Sequence, residues 1–254
     1  MIMLYFSGTG NSRYIAELFS QHMDAPRYSI EEDLDFAQLI GTTDKIAFCY
    51  PIYMSRVPRI LREFVACHMD SLKNKKVIIL CTQLILSGDG ARAFASLFPP
   101  DHINVIYAEH FFMPNNVSNV FILPMTSAKG IQRCIIKSQR NMQIICRNIS
   151  AGTVKKRGFN IGSQALGLIQ GVFLFAVEKR ANTSVRIADD CTNCGICVDL
   201  CPMGNLVSEH GRITHKHNCT MCYRCINQCP EKAITIAWHG KVKTQYMYPG
   251  GPQK

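Results

Sequence analysis

The chain does not open on a basic leader. Met1-Ile2-Met3-Leu4-Tyr5-Phe6 is apolar but runs directly into Ser7-Gly8-Thr9-Gly10, which reads as a strand and a turn rather than a signal peptide. An uninterrupted apolar run of the roughly 20 residues that a bilayer span requires is also missing. The most apolar stretch, Ala165 to Val177, is broken by Gln170 and reads as a buried helix, so no membrane span is expected. No G-x-G-x-x-G follows a strand, which argues against a built-in NAD(P)H domain. Outside the cysteines there is no acid-base pair, nucleophile constellation or further metal-ligand cluster, so no catalytic residue is assigned. Acidic residues are scarce, with 18 Asp and Glu against 28 Lys and Arg, a formal net charge of +10. That excess suits a polyanion, but the basic residues are scattered and form no Arg-rich helix or aromatic-basic platform, which argues against nucleic acid.

Cysteine is abundant, at 13. In a small secreted chain that number would mean disulfides, but here eight of them carry metal-ligand spacing, and a reducing cytoplasm fits better. With 254 residues, 47% of them hydrophobic, the chain is long enough for one large domain and one smaller one.

Up to about residue 150 short apolar runs alternate with helical segments. Ile2 to Phe6, Arg27 to Ile30, Lys45 to Tyr50, Lys76 to Thr82 and Ile103 to Ala108 read as strands, and helices begin near Asn11, Val57, Asp89 and Met125. The pattern predicts an α/β fold: a doubly wound, five-stranded parallel sheet. Residues 150 to 162 read as a basic, glycine-bounded loop, Ser163 to Arg180 as a packing helix, and 181 to 184 as a linker. The expected division is a first domain over 1–180, a second over 185–237, and a loosely held tail over 238–254.

From Arg186 to Ile236 the sequence repeats itself. Cys191, Cys194, Cys197 and Cys201 recur 28 residues later as Cys219, Cys222, Cys225 and Cys229, and Pro202 recurs as Pro230. Each half spells C-x2-C-x2-C-x3-C-P. Structural zinc sites use CxxC pairs held well apart or Cys and His together, and do not predict this run. Three thiolates on a tight loop with a fourth from elsewhere suit a cubane iron-sulfur cluster. The segment closely resembles the two-cluster bacterial ferredoxins. The resemblance implies a small α+β domain with two [4Fe-4S] clusters and crossed fourth ligands. One cluster then takes Cys191, Cys194, Cys197 and Cys229, the other Cys219, Cys222, Cys225 and Cys201. His215 and His217 read as solvated loop residues, and Cys49, Cys67, Cys81, Cys134 and Cys146 as small buried hydrophobes.

After the first strand stands Ser7-Gly8-Thr9-Gly10-Asn11-Ser12, then a helix. Glycines let the backbone fold around a phosphate, and the helix N-terminus supplies free N–H groups and a favourable dipole. A plain capped turn uses the same residues. Here the chain resembles the flavodoxin family, whose phosphate loop is matched by Ser7, Thr9, Gly10, Asn11 and Ser12. The resemblance implies FMN, held also by loops after the third and fourth strands: Pro51, Ile52 and Tyr53 in one, Thr82, Gln83 and Gly88 in the other. Tyr53 is the candidate stacking residue, because an aromatic face covers a flavin ring; packing of Tyr50 or Tyr53 against a helix is the alternative. With these cofactors bound the net charge falls to about +4.

Over nearly its full length the chain resembles flavodoxin-ferredoxin fusions of anaerobic microbes, although residues 109 to 185 carry no motif with assignable chemistry. The resemblance implies an electron-transfer iron-sulfur flavoprotein served by an external redox protein, acidic or ferredoxin-like. The alternative is a reductase in which the clusters feed FMN and FMN reduces a small quinone-like acceptor.

Overall fold

The computed structural model describes residues 1–246 apart from Met54, Leu86, Ser87, Phe121 and Trp238, and omits the side chains of 173–176. Met54, Leu86 and Ser87, which fall in the two stretches of chain that hold the expected flavin-loop residues, and the last eight residues of the expected tail therefore lie outside the described residues.

In chain order the first domain runs β1 (Ile2–Tyr5), α1 (Asn11–Met23), β2 (Arg27–Ser29), α2 (Phe36–Gly41), β3 (Lys45–Pro51), α3 (Arg59–Cys67), β4 (Lys76–Gln83), α4 (Gly90–Ala95), β5 (Asn104–Phe112), α5 (Ala128–Ser150), β6 (Lys155–Lys156) and α6 (Ile161–Thr183). All the strands are parallel, in the order β2-β1-β3-β4-β5-β6. The central strands β3 and β4 are near-continuous apolar runs, as a strand covered on both faces must be. Alternation then divides the core. Ile2, Leu4 and Phe6 face α2, α3 and α4 with Phe48, Phe64 and Phe94. Met3 points the other way, to Ile15 and Phe19 of α1 and Met142 and Ile145 of α5.

Six strands are found where five were expected. The sixth, inside the expected loop 150–162, is only two residues long and is too polar to show as a strand. It is held because Glu109 of β5, 6% exposed, takes Lys155 Nζ at 2.6 Å and Arg157 Nη1 at 2.8 Å. The expected helix 163–180 is extended at both ends into α6, which runs through most of the expected linker, with Ala181 fully buried. It is not the buried helix expected. One side packs on the loops after β3 and β4, and the other exposes Ile161, Leu168, Ile169 and Val172. Among the described residues α6 is the one helix long and apolar enough to cross a membrane.

The second domain contains β7 (Arg186–Ile187), α7 (Ile196–Asp199), β8 (Leu206–Glu209), β9 (Arg212–His215), α8 (Arg224–Gln228) and β10 (Ile234–Thr235). Two antiparallel pairs, β7 with β10 and β8 with β9, enclose a core of Leu206, Ile213, Ile226 and Ile234. Beyond it the expected loose tail is fastened as far as Tyr246. Gln245 Nε2 donates to the carbonyls of Ile226 and Cys229, and Tyr246 N to Asn227 Oδ1 at 2.7 Å.

Candidate functional site

The fold gathers the eight motif cysteines into two sets. One small cavity is lined by Cys191, Cys194, Cys197 and Cys229, and a second by Cys201, Cys219, Cys222 and Cys225. These are the two crossed sets. The 28-residue repeat extends to the backbone: Asn193 and Met221, Gly195 and Tyr223, and Gly204 and Lys232 all hold positive φ. Left-handed residues wind each loop tightly enough for its sulfurs to converge. Main-chain N–H groups donate to sulfur at equivalent places, from Asn193 to Cys191 Sγ and Met221 to Cys219 Sγ, and from Asn205 to Cys201 Sγ and Ala233 to Cys229 Sγ. Such donors favour thiolate over thiol.

Burial, reinforced by neighbouring cysteines, pushes the Cys197 thiol up to about 11 and Cys219 up to about 12. Burial also lifts Cys222 to about 11 in spite of the Arg224 guanidinium beside it. Four thiolates therefore converge in such a cavity only around compensating positive charge, and iron in a [4Fe-4S] core supplies it.

The two equivalent loops differ in surroundings. Residues 192–194 are exposed, whereas their counterparts 220–222 are buried. The cause is docking: the second loop sits against the Ser7–Ser12 turn. A Cβ on Gly8 would lie 2.3 Å from the Cys222 carbonyl oxygen, so only glycine admits this approach. Arg224 seals the contact, donating to the Gly8 and Ser7 carbonyls at 3.1 and 2.8 Å and bidentately to the Glu31 carboxylate at 2.8 Å. Burial opposes its charge, and the Glu31 bonds outweigh that cost. Nothing in the sequence distinguished Arg224 from any other residue of the ferredoxin repeat.

The expected phosphate residues Ser7, Thr9, Gly10, Asn11 and Ser12 form one turn at the start of α1. Gly10 precedes the helix with φ 103° and no side chain caps it, which fits the N-terminus for an anion. The side chains tie the turn to its surroundings. Asn116 Nδ2 donates to Thr9 Oγ1, Asn11 Nδ2 to the Pro114 carbonyl, Tyr246 Oη to Asn11 Oδ1 at 2.5 Å, and Ser12 and Thr82 share a hydroxyl bond of 2.8 Å.

Beside this turn, at the carboxyl ends of β3, β4 and β5, opens a cleft of about 470 Å³. Pro51, Ile52, Tyr53, Thr82 and Gln83 line it. Tyr53 reaches past the cleft: its ring packs on the ferredoxin core, and its buried hydroxyl, unpartnered among the described residues, is kept protonated by burial and the nearby Cys222. Gly88 does not take the expected place at the ring. It lies under α6, where a Cβ would meet Gly167 N at 2.4 Å, and its N–H is bound by Ser55 Oγ. Tyr50 is a core residue whose hydroxyl donates to the Gly90 carbonyl. Of the remaining cysteines Cys49, Cys81 and Cys146 are buried, but Cys67 is exposed and Cys134 half-buried. His217 is exposed and bonds the Asn182 carbonyl, while His215 ends β9 instead of sitting in a loop.

Two walls of the cleft were not anticipated. One is the segment after β5, with Asn116, Val117, Asn119 and Val120. Its amides reach across domains, Asn119 donating to the Ile236 carbonyl and Asn227 to the Asn116 carbonyl. Its position after the last long strand, at the sheet's ligand-binding end, was the available signal. The other wall is the second cluster loop itself, through Met221 and Tyr223.

A flavodoxin-domain family matches residues 2–118, and a 4Fe-4S dicluster family matches residues 179–234. Among solved structures the chain is similar to a flavoprotein of Bacteroides eggerthii (24% identity, 43% of this chain and 86% of that one, TM-score 0.36). It is also similar to the flavodoxin of Megasphaera elsdenii (19%, 56% and 99%, TM-score 0.38) and to a general stress protein 14 of Treponema denticola in complex with FMN (15%, 58% and 97%, TM-score 0.43). No curated protein matches. Fold and site together define an electron-transfer iron-sulfur flavoprotein whose cofactors are FMN and two [4Fe-4S] clusters. The chain is a flavodoxin-ferredoxin fusion, with the flavodoxin domain first.

The phosphate assignment has a direct test. Thr9→Ala combined with Asn11→Ala is expected to lose bound flavin on gel filtration while keeping its iron, because the cluster cavities belong to the ferredoxin core. Stoichiometric flavin in the purified double variant would place the phosphate elsewhere.

Proposed function

We propose that the chain relays electrons between an external redox protein and FMN by way of its own two clusters. The clusters supply one-electron steps and FMN stores one or two electrons. The observation that carries this reading is the asymmetry of the two cysteine loops: the second, with Met221 and Tyr223, forms a wall of the flavin cleft, while the first faces outward with Cys194 exposed. A partner then meets the Cys191–Cys197 loop, and the Cys219–Cys225 loop hands on to the cleft.

Acidic residues stand at the outward loop, Asp189, Asp190 and Asp199 flanking it in sequence and Glu231 lining the first cavity with its cysteines, although the exposed Arg186, Arg212 and Lys232 lie close by. Although the chain as a whole is basic, the docking chemistry here favours a basic patch on the partner.

The test is anaerobic turnover of the reconstituted protein against redox proteins and small quinones. Electron exchange with a redox protein that weakens with salt is expected. Fast reduction of a quinone directly at the cleft, with no redox protein able to exchange, would favour an FMN-dependent reductase instead.

A further inference from the structure

Two paths of hydrogen bonds leave the Ser7–Ser12 turn and meet at one amide of the second domain. From Thr9 the path runs through Asn116, whose Nδ2 donates to Thr9 Oγ1 at 2.7 Å and whose carbonyl accepts from Asn227 Nδ2 at 2.9 Å. From Asn11 it runs through Tyr246, whose hydroxyl donates to Asn11 Oδ1 at 2.5 Å and whose N–H donates to Asn227 Oδ1 at 2.7 Å. Asn227 lies on α8, between the cluster ligands Cys225 and Cys229. Thr9, Asn11, Asn227 and Tyr246 are buried and Asn116 is half-buried, so these bonds are made away from water, where leaving a partner unsatisfied is costly.

The arrangement is not a requirement of the ferredoxin repeat. The counterpart of Asn227 in the first half is Asp199, 28 residues earlier, and it is exposed. The buried amide occurs only in the half that meets the first domain. Its two paths end on alternate residues of one turn. Asn11 is pinned from both sides, because its Nδ2 also donates to the Pro114 carbonyl at 2.9 Å. It is the first residue of α1, behind Gly10 with φ 103° and no side-chain cap, so fixing it fixes the start of the helix whose unpaired N–H groups suit an anion. A site held in shape before its ligand arrives binds more tightly, since less ordering remains to be done on binding.

We infer that Asn227 and Tyr246 are positioning residues for the FMN phosphate: they hold Thr9 and Asn11, so that the phosphate turn of the first domain is shaped by the cluster-bearing domain and its C-terminal extension. The inference rests on the assignment of the Ser7–Ser12 turn to the phosphate. The extension does not depend on the Tyr246 hydroxyl for its own place, because Gln245 is bonded to the Ile226 and Cys229 carbonyls and the Lys243 carbonyl to Lys232 Nζ. Tyr246→Phe should therefore leave it seated and remove the bond to Asn11 alone.

The experiment is an anaerobic titration of cluster-loaded, flavin-depleted protein with FMN and with riboflavin, which lacks the phosphate, reading binding from the quenching of flavin fluorescence. The wild type should prefer FMN. Tyr246→Phe should lower FMN affinity about tenfold and leave riboflavin affinity within about twofold, with iron content unchanged. Asn227→Ala, which cuts both paths, should lose at least as much FMN affinity; should it also lose iron, Tyr246→Phe alone decides. Because Tyr246 acts through Asn11, Tyr246→Phe should add nothing in an Asn11→Ala background. Unchanged FMN affinity in Tyr246→Phe would overturn the inference. So would an equal loss of FMN and riboflavin binding, or an effect that persists in full without the Asn11 side chain. A wild type that binds riboflavin as tightly as FMN would overturn the phosphate assignment itself, and the inference with it.

Discussion

Cys229→Ala should empty the cluster site whose other ligands lie some 32 to 38 residues earlier, and Cys201→Ala the site whose other ligands lie 18 to 24 residues later. Each variant, reconstituted anaerobically, is expected to hold about four iron and four acid-labile sulfides, where the wild type holds about eight of each. The reason is the crossing of the two cavities. Cys229 lines the cavity of Cys191, Cys194 and Cys197, and Cys201 lines the cavity of Cys219, Cys222 and Cys225. Mapping the surviving cluster, by further loss of iron when Cys194→Ala or Cys222→Ala is added, decides the pairing. In the Cys229→Ala background, Cys194→Ala should remove nothing more and Cys222→Ala the rest. The reverse result would mean that each run of four cysteines holds its own cluster.

Gly8→Val is expected to be strongly destabilising and to part the two domains. A Cβ there falls 2.3 Å from the carbonyl oxygen of Cys222 and 3.1 Å from its carbon, and both belong to main chain wound tightly around a cluster site. No side-chain rotation relieves that overlap, so the second domain must lift from the phosphate turn. Lifting it strands the bonds of Arg224 to Ser7, Gly8 and Glu31 and opens the cleft wall made by Met221 and Tyr223. Overpacking typically costs about 1–3 kcal/mol, and against main chain the upper end applies; about 3 kcal/mol in a chain of this size lowers Tm by roughly 10 °C. Bound flavin should fall with it. Gly41→Ala is the control: a Cβ at Gly41, the last residue of α2, meets nothing within 4 Å, and Tm should hold. A Gly8→Val protein with wild-type Tm and flavin would show that the two domains are not packed together in solution.

The sequence made the chemistry legible more readily than the contacts between domains. Eight cysteines at one repeated spacing leave little freedom in what they bind, and central parallel strands announce themselves because burial on both faces demands unbroken apolar runs. Ser7 to Ser12 was legible as a phosphate turn only through its place after β1. What stayed hidden depends on pairs far apart in sequence. Gly8 reads as a loop glycine until Cys222 is seen against it, and Gly88 reads as a flavin contact until Gly167 covers it. Strand β6 has two lysines and no apolar pattern, because a buried carboxylate on its neighbour holds it. Asn116 and Asn119 look like ordinary loop amides, and their function follows from bonds that span more than 100 residues.

The central claim is that electrons reach FMN from the ferredoxin domain of the same molecule, through the loop of Cys219, Cys222 and Cys225. Anaerobic flash photoreduction tests it most directly, with flavin absorbance followed over a range of protein concentrations in the wild type and the Cys201→Ala variant. The predicted result is a first-order flavin reduction whose rate does not change with protein concentration in the wild type, and which is lost in Cys201→Ala once loss of the second cluster is verified. A rate proportional to protein concentration, or an unchanged rate in a Cys201→Ala protein lacking that cluster, would contradict the account.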